Sequence, residues 1–458
     1  MSKKENQNNK NYNIEKGEVL VGSSLLRKKD IINDRVSYML NYMEFNKAYL
    51  FEKEKRKNES DVLELLNDFK KRYEEYRNDW SKQPKSCIKN KFLGNELKKE
   101  KKPPLCVDIE VAAICDLACP FCFREFTVTP DKIIDEKLCY NLIDQASAMK
   151  VPSMKFNWRG EPLLNSKLSD YIKYAKKKGI LETIINTNAT NLNRKNAEKL
   201  IDAGLDMLIY SFDGGSKKTY EKMRPGRFKK NNFEDVYNNI KNFSSIKKEK
   251  HSKFPYTKIQ MILTKDTVDE KDSFFDMFSD YVDDVSLSQY TDRGGDIKDL
   301  NHEDEIKYKK KLKETNLPYG SNYMKDLYGN ISISTGRLPC EQPFQRLLIT
   351  YEGRVAMCCY DWGAAHPVGY VDKKTFTNKR DYEDVLLKAQ NKKKGFELLS
   401  EVKMPKDLNN PEKKTQSIAD IWFGEQIDEV RKKHLNGKSE EVEVCKNCSF
   451  KDVYNWVK

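Results

Sequence analysis

The amino-terminal hundred residues carry a helical pattern of apolar positions. Between residues 14 and 100, apolar side chains recur every three or four positions, which is the spacing of one helix face. The clearest stripe consists of Val62, Leu65, Leu66, Phe69, Tyr73 and Tyr76. Residues 59–61 offer helix caps and Pro84 is expected to end the helix. Residues 1–13 are poor in apolar groups and are predicted to be disordered.

The predicted helical extension covers residues 14–104 and carries no chemical motif. Packing against the rest of the chain is one interpretation of its apolar stripe. Capture of a partner or of the substrate is the alternative.

Beyond residue 104, short apolar runs alternate with amphipathic helical segments. The predicted strands are 106–114, 153–158, 181–187, 207–212, 258–264 and 284–289, and the clearest helices are 136–149, 167–178 and 194–203. This alternation predicts an α/β fold with a parallel sheet. Six units, two fewer than a closed barrel has, predict a partial (β/α)6 TIM-like barrel over residues 105–334. In βα barrels the chemistry lies at the carboxyl ends of the strands.

The last third of the chain changes character again. From residue 335 cysteines return, and helical patterns are sparse until residues 418–423. The lysine-rich stretch 373–416 is predicted to be an insertion of two surface helices and a polar loop. We therefore expect a small cysteine-rich domain over residues 335–458.

Composition narrows the class of protein. Among 458 residues there are 84 Lys and Arg against 71 Asp and Glu, a net charge of +13. The lysines are interspersed with acids, which is typical of solvated helix faces, so a nucleic-acid partner is not expected. The excess leaves room for a phosphorylated or nucleotide-linked substrate. The sequence has neither a membrane-length apolar run nor a hydrophobic signal region, which predicts a cytoplasmic protein without a membrane partner.

Eleven cysteines in such a chain favour metal ligation over disulfides. Cys87, Cys106 and Cys139 are isolated and are expected to be free buried thiols. The sequence places the others in two spaced sets.

The first set, Cys115, Cys119 and Cys122, follows the first predicted strand with a C-x3-C-x2-C spacing. Three thiolates on one loop can hold three irons of a cluster and leave the fourth iron open, whereas clusters are ordinarily held by four cysteines. A zinc knot and a ferredoxin-type cluster remain alternatives on spacing alone. With Phe121 before the third cysteine, the loop resembles the signature of the radical S-adenosylmethionine (radical SAM) enzymes. The resemblance implies a 4Fe–4S cluster whose open iron binds S-adenosylmethionine, and reductive cleavage of that cofactor to a 5′-deoxyadenosyl radical.

Gly160, Glu161 and Pro162 follow the second predicted strand. A buried carboxylate on such a turn could accept charge-assisted hydrogen bonds from an ammonium group. The turn resembles the Gly-Gly-Glu-Pro motif that binds the methionine amino group in this family, with Arg159 in place of the first glycine.

Polar residues also end the third and fourth predicted strands. Thr187 and Asn188 resemble the family's Thr-Asn-Gly, and Ser211 and Asp213 suit ribose hydroxyls. Ordinary strand-end capping is the alternative for each group taken singly. The resemblance implies a cofactor site formed by Phe121, Gly160, Glu161, Pro162, Thr187, Asn188, Ser211 and Asp213.

The second cysteine set lies in the last third of the chain. A hairpin turned at residues 352–353 would bring Cys358 back beside Cys340, and Cys445 with Cys448 forms a C-x2-C pair that could equally be half of a zinc site. The order resembles the SPASM/Twitch extensions of radical SAM enzymes that carry one auxiliary cluster. The resemblance implies a fully ligated second 4Fe–4S cluster on these four cysteines, with Cys359 as the alternate for Cys358.

Taken together, the resemblance implies a radical SAM enzyme that abstracts a substrate hydrogen. A fully ligated second cluster favours oxidation of a sugar, cyclitol or nucleotide sugar, with that cluster as electron acceptor and a flavodoxin or ferredoxin as electron donor. The candidate catalytic residues are Asp361, as proton acceptor, and Arg293, on the loop after the sixth strand, as a substrate anchor. A solvent-exposed loop position is the alternative for Arg293. A peptide or protein maturase, an RNA-modifying enzyme and a non-catalytic zinc or electron-transfer protein are the alternative functions.

Overall fold

The computed structural model describes residues 12–13, 18–21, 24–27, 34–122, 124, 128–264, 266–289, 323–325, 331–333, 339–390 and 414–446. The described strands are β1 (Tyr12–Asn13), β2 (Glu18–Val21), β3 (Ser24–Arg27), β4 (Cys106–Ile109), β5 (Ser153–Lys155), β6 (Glu182–Thr187), β7 (Met207–Ser211), β8 (Tyr256–Leu263), β9 (Asp284–Gln289), β10 (Tyr323–Lys325), β11 (Ile331–Ile333), β12 (Arg346–Ile349), β13 (Arg354–Ala356) and β14 (Pro367–Tyr370). The described α-helices are α1 (Arg35–Asn41), α2 (Lys47–Lys53), α3 (Glu59–Asn90), α4 (Gly94–Lys99), α5 (Glu136–Ala148), α6 (Leu168–Lys177), α7 (Arg194–Ala203), α8 (Lys217–Met223), α9 (Phe233–Glu249), α10 (Lys271–Phe278), α11 (Lys379–Gln390), α12 (Ile418–Trp422), α13 (Glu425–Leu435) and α14 (Glu443–Lys446).

Six parallel strands, β4 to β9, form the centre of the sheet in sequential order. Helices α5 to α10 lie in the connections between them, as right-handed βαβ crossovers require. All six predicted strands and the three predicted helices are confirmed, although β4 and β5 end several residues earlier than expected. The predicted partial barrel is therefore correct.

Both edges of this parallel sheet are extended. At one edge β3 pairs antiparallel with β9, bringing Leu25 opposite Leu287, and at the other β12 pairs in parallel with β4. Helix was predicted from residue 14 onward and disorder for residues 1–13, and both predictions are wrong where β1, β2 and β3 occur. The edge strand of an open sheet offers unpaired N–H and C=O groups, and pairing with them outweighs a weak helical pattern.

The predicted stripe on the amino-terminal helices is confirmed on α3. Leu65, Phe69, Tyr73 and Tyr76 are buried in a hydrophobic cluster with α1, α2 and residues of β6 to β8. These helices therefore pack against the barrel.

Helix α3 runs through Pro84, which was wrongly expected to end it, and Asn58 rather than residues 59–61 occupies its N-cap. A proline within a helix leaves the carbonyl four residues earlier without its usual donor. Here that carbonyl belongs to Trp80, and Gln345 Nε2 donates to it over 2.5 Å. A side chain from a distant segment thus replaces the missing backbone hydrogen bond.

Side chains along the parallel strands alternate between two faces. One face packs into the main hydrophobic core, for example through Met154, Leu208 and Ile259. Successive strand residues point to opposite sides, so the alternate residues face the inside of the partial barrel, and we call this surface the lumen face. Its partly exposed members are Lys155, Asn186, Ile209, Ser211, Lys258, Gln260, Ile262 and Arg346. The outward row is almost completely buried. On the lumen face, Ile184, Met207 and Tyr256 are buried against the amino-terminal helices, whereas the residues named above are partly exposed.

The hairpin predicted at residues 352–353 is present between β12 and β13. Gly353 has φ 98°, and a Cβ there would lie 2.6 Å from the Cβ of Asp372, so this turn requires glycine.

The predicted insertion 373–416 begins with the 3-10 helix Lys373–Phe376 and helix α11. It is not simply a surface segment, because Thr375, Phe376 and Tyr382 are buried. The hydroxyl of Tyr382 donates to the buried carboxylate of Glu352 over 2.8 Å. Residues 391–413 lie outside the described residues. Among the described helices, none combines the length and apolar character needed to cross a membrane.

Candidate functional site

The loop after β4 carries the first cysteine set. The backbone pins this loop to the segment after α8, because Ala118 N donates to Pro225 O (2.9 Å) and Arg227 N donates to Asp116 O (2.8 Å). Burial raises the pKa of the Cys119 thiol, and the thiols of Cys122 and Cys115 raise it further.

The three thiols therefore lie within electrostatic range of one another. Among the described residues, no group of three or more His, Cys, Asp or Glu side chains closes on the position of a single metal ion. Three sulfur donors on one fixed loop fit a thiolate-bound iron–sulfur cluster, which spreads its ligands over several metal atoms.

The Gly160-Glu161 turn packs directly against the same loop. A Cβ at position 160 would lie 2.4 Å from the carbonyl oxygens of Ala112 and Ile114, so only glycine fits there. Glu161 N donates to Ile114 O over 2.9 Å. The cluster loop and the predicted cofactor-binding turn are thus held in direct contact.

Glu161 joins this turn to the end of β6. Its buried carboxylate accepts hydrogen bonds from Thr187 Oγ1 (2.6 Å), Asn188 N (2.8 Å) and Leu163 N (3.0 Å). Burial raises the pKa of Glu161 to about 7, although these donors pull it down. A carboxylate in such surroundings gains strongly from a cationic ligand.

Asn188 connects the end of β6 to the cluster loop. Its side-chain amide donates to Asp116 over 2.8 Å and lies 4.0 Å from the sulfur of Cys115. The structure therefore brings together Cys115, Glu161, Thr187 and Asn188, which the sequence placed on three separate strand ends. Pro162 follows as the first residue of a short 3-10 helix that Glu161 caps.

Arg159, which departs from the family motif, forms a buried ion pair. Its guanidinium donates to both carboxylate oxygens of Glu110 over 2.7 and 2.8 Å. Glu110 also accepts from Tyr351 N over 3.2 Å and donates its own N–H to Ile349 O over 2.8 Å. Arg159 therefore connects the cofactor turn to the β12–β13 hairpin.

Glu110 was not predicted as a site residue. A charged side chain directly after the apolar run of β4 is costly to bury without a counter-charge. An acidic residue at this position therefore indicates a basic partner nearby, and the structure identifies that partner as Arg159.

Asp213 and Ser211 lie at the end of β7. The carboxylate of Asp213 accepts from Arg224 Nε (2.8 Å) and Ile262 N (2.6 Å). Arg224 in turn lies 5.8 Å from the ring of Phe121. Asp213 thus positions an arginine beside the cluster loop, and ribose binding by Asp213 and Ser211 stays a prediction.

The second cysteine set is described in part. Cys340, Cys358 and Cys445 are buried, each 8% exposed, and Cys448 lies outside the described residues. Cys358 and Cys445 belong to the main hydrophobic core. Cys359 instead packs beside Trp158, where its carbonyl accepts from Trp158 Nε1 over 3.1 Å. This placement favours Cys358 over Cys359 as a cluster ligand, and the ligand set stays a prediction.

Of the two predicted catalytic residues, the structure describes Asp361 but not Arg293. Asp361 is fully buried, and its two oxygens accept from Ala365 N (2.8 Å) and His366 N (3.0 Å). Burial raises the pKa of Asp361 and these backbone donors lower it. The contacts are those of a turn-stabilising carboxylate, so its role as a proton acceptor stays a prediction. Arg293 lies outside the described residues. The three isolated cysteines, Cys87, Cys106 and Cys139, are buried free thiols as predicted.

Two family models match the chain. The radical SAM superfamily matches residues 109–277, and SPASM, an iron-sulfur cluster-binding domain, matches residues 340–396.

Similarity to individual proteins is limited to parts of them. GTP 3′,8-cyclase of Chlorobaculum tepidum is 32% identical over 108 residues, which are 23% of this chain and 32% of that protein. Mycofactocin maturase MftC of Mycolicibacterium smegmatis is 23% identical over 201 residues, 43% of this chain and 48% of that protein. The chain thus matches between a third and a half of these relatives' lengths.

Solved structures that match the chain include BtrN in complex with AdoMet and 2-DOIA, with 16% identity and a TM-score of 0.41 over 76% of this chain and 93% of BtrN. Streptococcus suis SuiB bound to precursor peptide SuiA gives 16% identity and a TM-score of 0.41 over 74% of this chain and 80% of SuiB.

The two family matches fall on the two cysteine regions. Proteins with these domains use S-adenosylmethionine, a 4Fe–4S cluster and auxiliary iron–sulfur clusters. The chain therefore carries a radical SAM domain at residues 109–277 and a SPASM iron–sulfur cluster-binding domain at residues 340–396.

Proposed function

We propose that this enzyme oxidises an alcohol of a carbohydrate-like small molecule, such as a sugar, cyclitol or nucleotide sugar, to a carbonyl. The substrate carbon loses one hydrogen atom, and the resulting alcohol radical then loses one proton and one electron to give the C=O bond. One electron enters from a reduced flavodoxin or ferredoxin and one leaves the substrate, so the electrons balance. The auxiliary cluster is the proposed acceptor of the second electron.

This proposal depends on one observation: the cluster loop, the Gly160-Glu161 turn and Asn188 lie in contact with one another. Cys115, Cys119 and Cys122 would hold the catalytic cluster. When bound, that cluster and S-adenosylmethionine supply the 5′-deoxyadenosyl radical that takes the hydrogen atom. The buried carboxylate of Glu161 would accept the ammonium group of the cofactor, which charge-assisted hydrogen bonds make favourable.

The second cysteine set supports oxidation as the outcome. Cys340, Cys358, Cys445 and Cys448 would supply four thiolates, enough to ligate every iron of a cube. A cluster without an open iron suits electron transfer rather than substrate chelation. The Arg159–Glu110 pair connects the cofactor turn to the hairpin that leads to Cys358. This connection would fix the position of one cluster relative to the other.

A peptide maturase is the second candidate. The match to mycofactocin maturase covers 43% of this chain, against 23% for GTP 3′,8-cyclase, and supports this candidate. The partly exposed lumen face of this chain is rich in charged and amide groups, which favours a polar substrate in either case.

The test begins with anaerobic reconstitution, dithionite and S-adenosylmethionine. The expected product is 5′-deoxyadenosine, and Glu161→Gln is expected to weaken cofactor binding about tenfold to a hundredfold through loss of a charge-assisted bond. Sugars and peptides deuterated on carbon are then compared for transfer of deuterium into 5′-deoxyadenosine. Transfer from a sugar with formation of its ketone supports the proposal, and transfer from peptides alone favours the maturase. Failure of the wild-type enzyme to cleave the cofactor would refute both.

A further inference from the structure

A short basic segment, residues 225–230, lies against the loop that carries the first cysteine set. We call this segment the basic loop. Backbone contacts join the two loops, among them a β-bridge between Gly226 and Leu117. Arg227 Nη1 also donates to the carbonyl of Cys115, a predicted cluster ligand, over 3.4 Å. The basic loop therefore touches the backbone that would hold the catalytic cluster.

The basic loop has a fixed shape. A Cβ at Gly226 would lie 1.7 Å from the carbonyl oxygen of Lys229, so the loop folds back on itself at a position that requires glycine. Asn231 closes the loop, because its side-chain amide donates to the carbonyl of Arg224 over 2.9 Å and to the hydroxyl of Tyr220 over 3.1 Å. A surface that is already ordered loses little conformational entropy when a partner binds.

The basic loop and the segment beside it expose large apolar side chains. The ring of Phe228 is 62% exposed, and the guanidinium carbon of Arg227 lies 5.0 Å from its centre. Arg227 also pairs with Asp131 over 2.6 Å, and two residues after Asp131 the side chain of Ile133 is 49% exposed. Exposed apolar groups with charged groups around them are a feature of interaction surfaces.

Lys229 and Lys230 give this surface a positive charge. Both residues are exposed, and among the described residues no carboxylate forms an ion pair with either ammonium group. The nearby carboxylate of Glu234 is held by Lys217 over 2.6 Å, and this hydrogen bond, more than the charge of Lys230, lowers the pKa of Glu234. The surface beside the cluster loop is therefore complementary to an acidic partner.

The position of this surface indicates which acidic partner it fits. Reductive cleavage of S-adenosylmethionine needs one electron at the catalytic cluster, and electron transfer slows steeply with distance, so the donor has to bind close to the cluster loop. Small interfaces are typical of such transient redox encounters. The flavin of a flavodoxin has an apolar dimethylbenzene edge, and an acidic carrier surrounds that edge with negative charge. An exposed phenylalanine next to two unpaired lysines matches both features.

We propose that the basic loop, with Phe228, Lys229 and Lys230 at its centre, is the docking site of a reduced acidic flavodoxin. The anionic flavin hydroquinone loses one electron and becomes a neutral radical, and the catalytic cluster gains that electron. No proton moves and no bond forms or breaks in this step. The inference rests on the proposed function, whose electron donor it places on the surface of the chain.

The test measures binding and electron transfer on the anaerobically reconstituted holoenzyme. The probes are a purified acidic flavodoxin, a purified 4Fe–4S ferredoxin and a single-stranded RNA oligonucleotide. Lys229→Glu with Lys230→Glu reverses the charge of the basic loop, and Phe228→Ala removes its ring. Lys98→Glu with Lys99→Glu is the matched control, because it changes the net charge equally at an exposed pair on α4. Helix α4 precedes the amino-terminal end of β4, whereas the cluster loop follows its carboxyl-terminal end.

Flavodoxin is expected to bind the wild type and the α4 control with equal affinity. The charge reversal should weaken binding at least about tenfold at low salt, and the difference should shrink as salt is added, because salt screens exposed charges. Phe228→Ala should weaken binding about fivefold or more at every salt concentration, as loss of a central aromatic contact does. The rate of flavin oxidation by the cluster, followed by stopped-flow absorbance, should fall in the same order.

Four results would each overturn the docking assignment. They are no binding of flavodoxin to the wild type, unchanged binding after charge reversal, an equal loss in the α4 control, and binding of ferredoxin or RNA alone that the charge reversal abolishes.

Iron content and the 5′-deoxyadenosine formed with dithionite are measured in every variant and should be equal in all of them. A variant that loses this reaction together with flavodoxin binding would assign its residues to support of the cluster and not to docking. If the wild type cleaves the cofactor with dithionite but flavodoxin does not bind, the radical chemistry stands and only the docking site falls. Alcohol oxidation is tested separately, because no substrate takes part in these measurements.

Discussion

The guanidinium of Arg159 and the carboxylate of Glu110 form a two-pronged ion pair with both side chains at most 1% exposed. Buried pairs of this kind contribute little net stability, but removing one partner leaves an uncompensated charge. The pair is also one of the contacts between the cofactor turn and the hairpin of the SPASM domain.

We expect Arg159→Met to lower the free energy of unfolding by about 3–5 kcal/mol, because Glu110 is left charged and buried. The double variant Arg159→Met with Glu110→Gln should recover a large part of that loss. Urea unfolding followed by circular dichroism measures both. A double variant as unstable as the single one would show that the charge of Glu110 is not the cause.

A methyl group at position 160 should displace the cluster loop. Gly160→Ala would push against the carbonyls of Ala112 and Ile114, at a cost of about 1–3 kcal/mol for overpacking. We expect this variant to bind less iron on reconstitution and to form little 5′-deoxyadenosine. Gly363→Ala is the control, since its Cβ would meet nothing closer than 4.0 Å. Equal iron content in the two variants would contradict the close approach.

The neighbouring thiols Cys358 and Cys359 should behave differently. Cys358 shares the main core with Cys445, whereas Cys359 packs beside Trp158 with its sulfur 4.0 Å from Arg346 Nη1. Cys358→Ser is expected to lose the auxiliary cluster, leaving about four of eight irons per chain. Cys359→Ser should keep both clusters. Iron and sulfide counting with electron paramagnetic resonance of the reduced protein gives the answer, and the reverse result would make Cys359 the ligand.

The carbonyl of Trp80 couples two distant positions. Gln345→Leu leaves that partly buried carbonyl without a protein donor, at a cost of at most about 3 kcal/mol. Pro84→Ala restores a backbone N–H that can donate to it, so the loss caused by Gln345→Leu should be smaller in the Pro84→Ala background. A double-mutant cycle on the free energy of unfolding measures this coupling. Additive effects of the two changes would exclude the proposed exchange of donors.

The same contact shows where prediction from the sequence succeeded and where it failed. The six parallel strands and the helices between them were predictable, because each is encoded by a local period of apolar residues. The continuation of α3 through Pro84 depends on Gln345, and β3 depends on the open edge of β9. Neither partner can be recognised from the local sequence.

The candidate site divides in the same way. Cysteine spacing and strand-end motifs identified Cys115, Glu161 and Asn188, which the structure brings together. Glu110 was missed because its role depends on Arg159, which the fold brings to it from the segment after β5.

The position of β4 between β5 and β12 affects how the chain folds while it is being synthesised. Cys106 of β4 pairs with Ser153 of β5 on one side and with Arg346 of β12 on the other. Strand β5 leaves the ribosome soon after β4, whereas β12 leaves it only after the entire barrel. Until then one side of β4 presents open backbone groups, which are templates for aggregation. Expression of a fragment that stops before residue 346 should therefore yield inclusion bodies, whereas a chain that includes β12 should remain in the soluble fraction of the lysate.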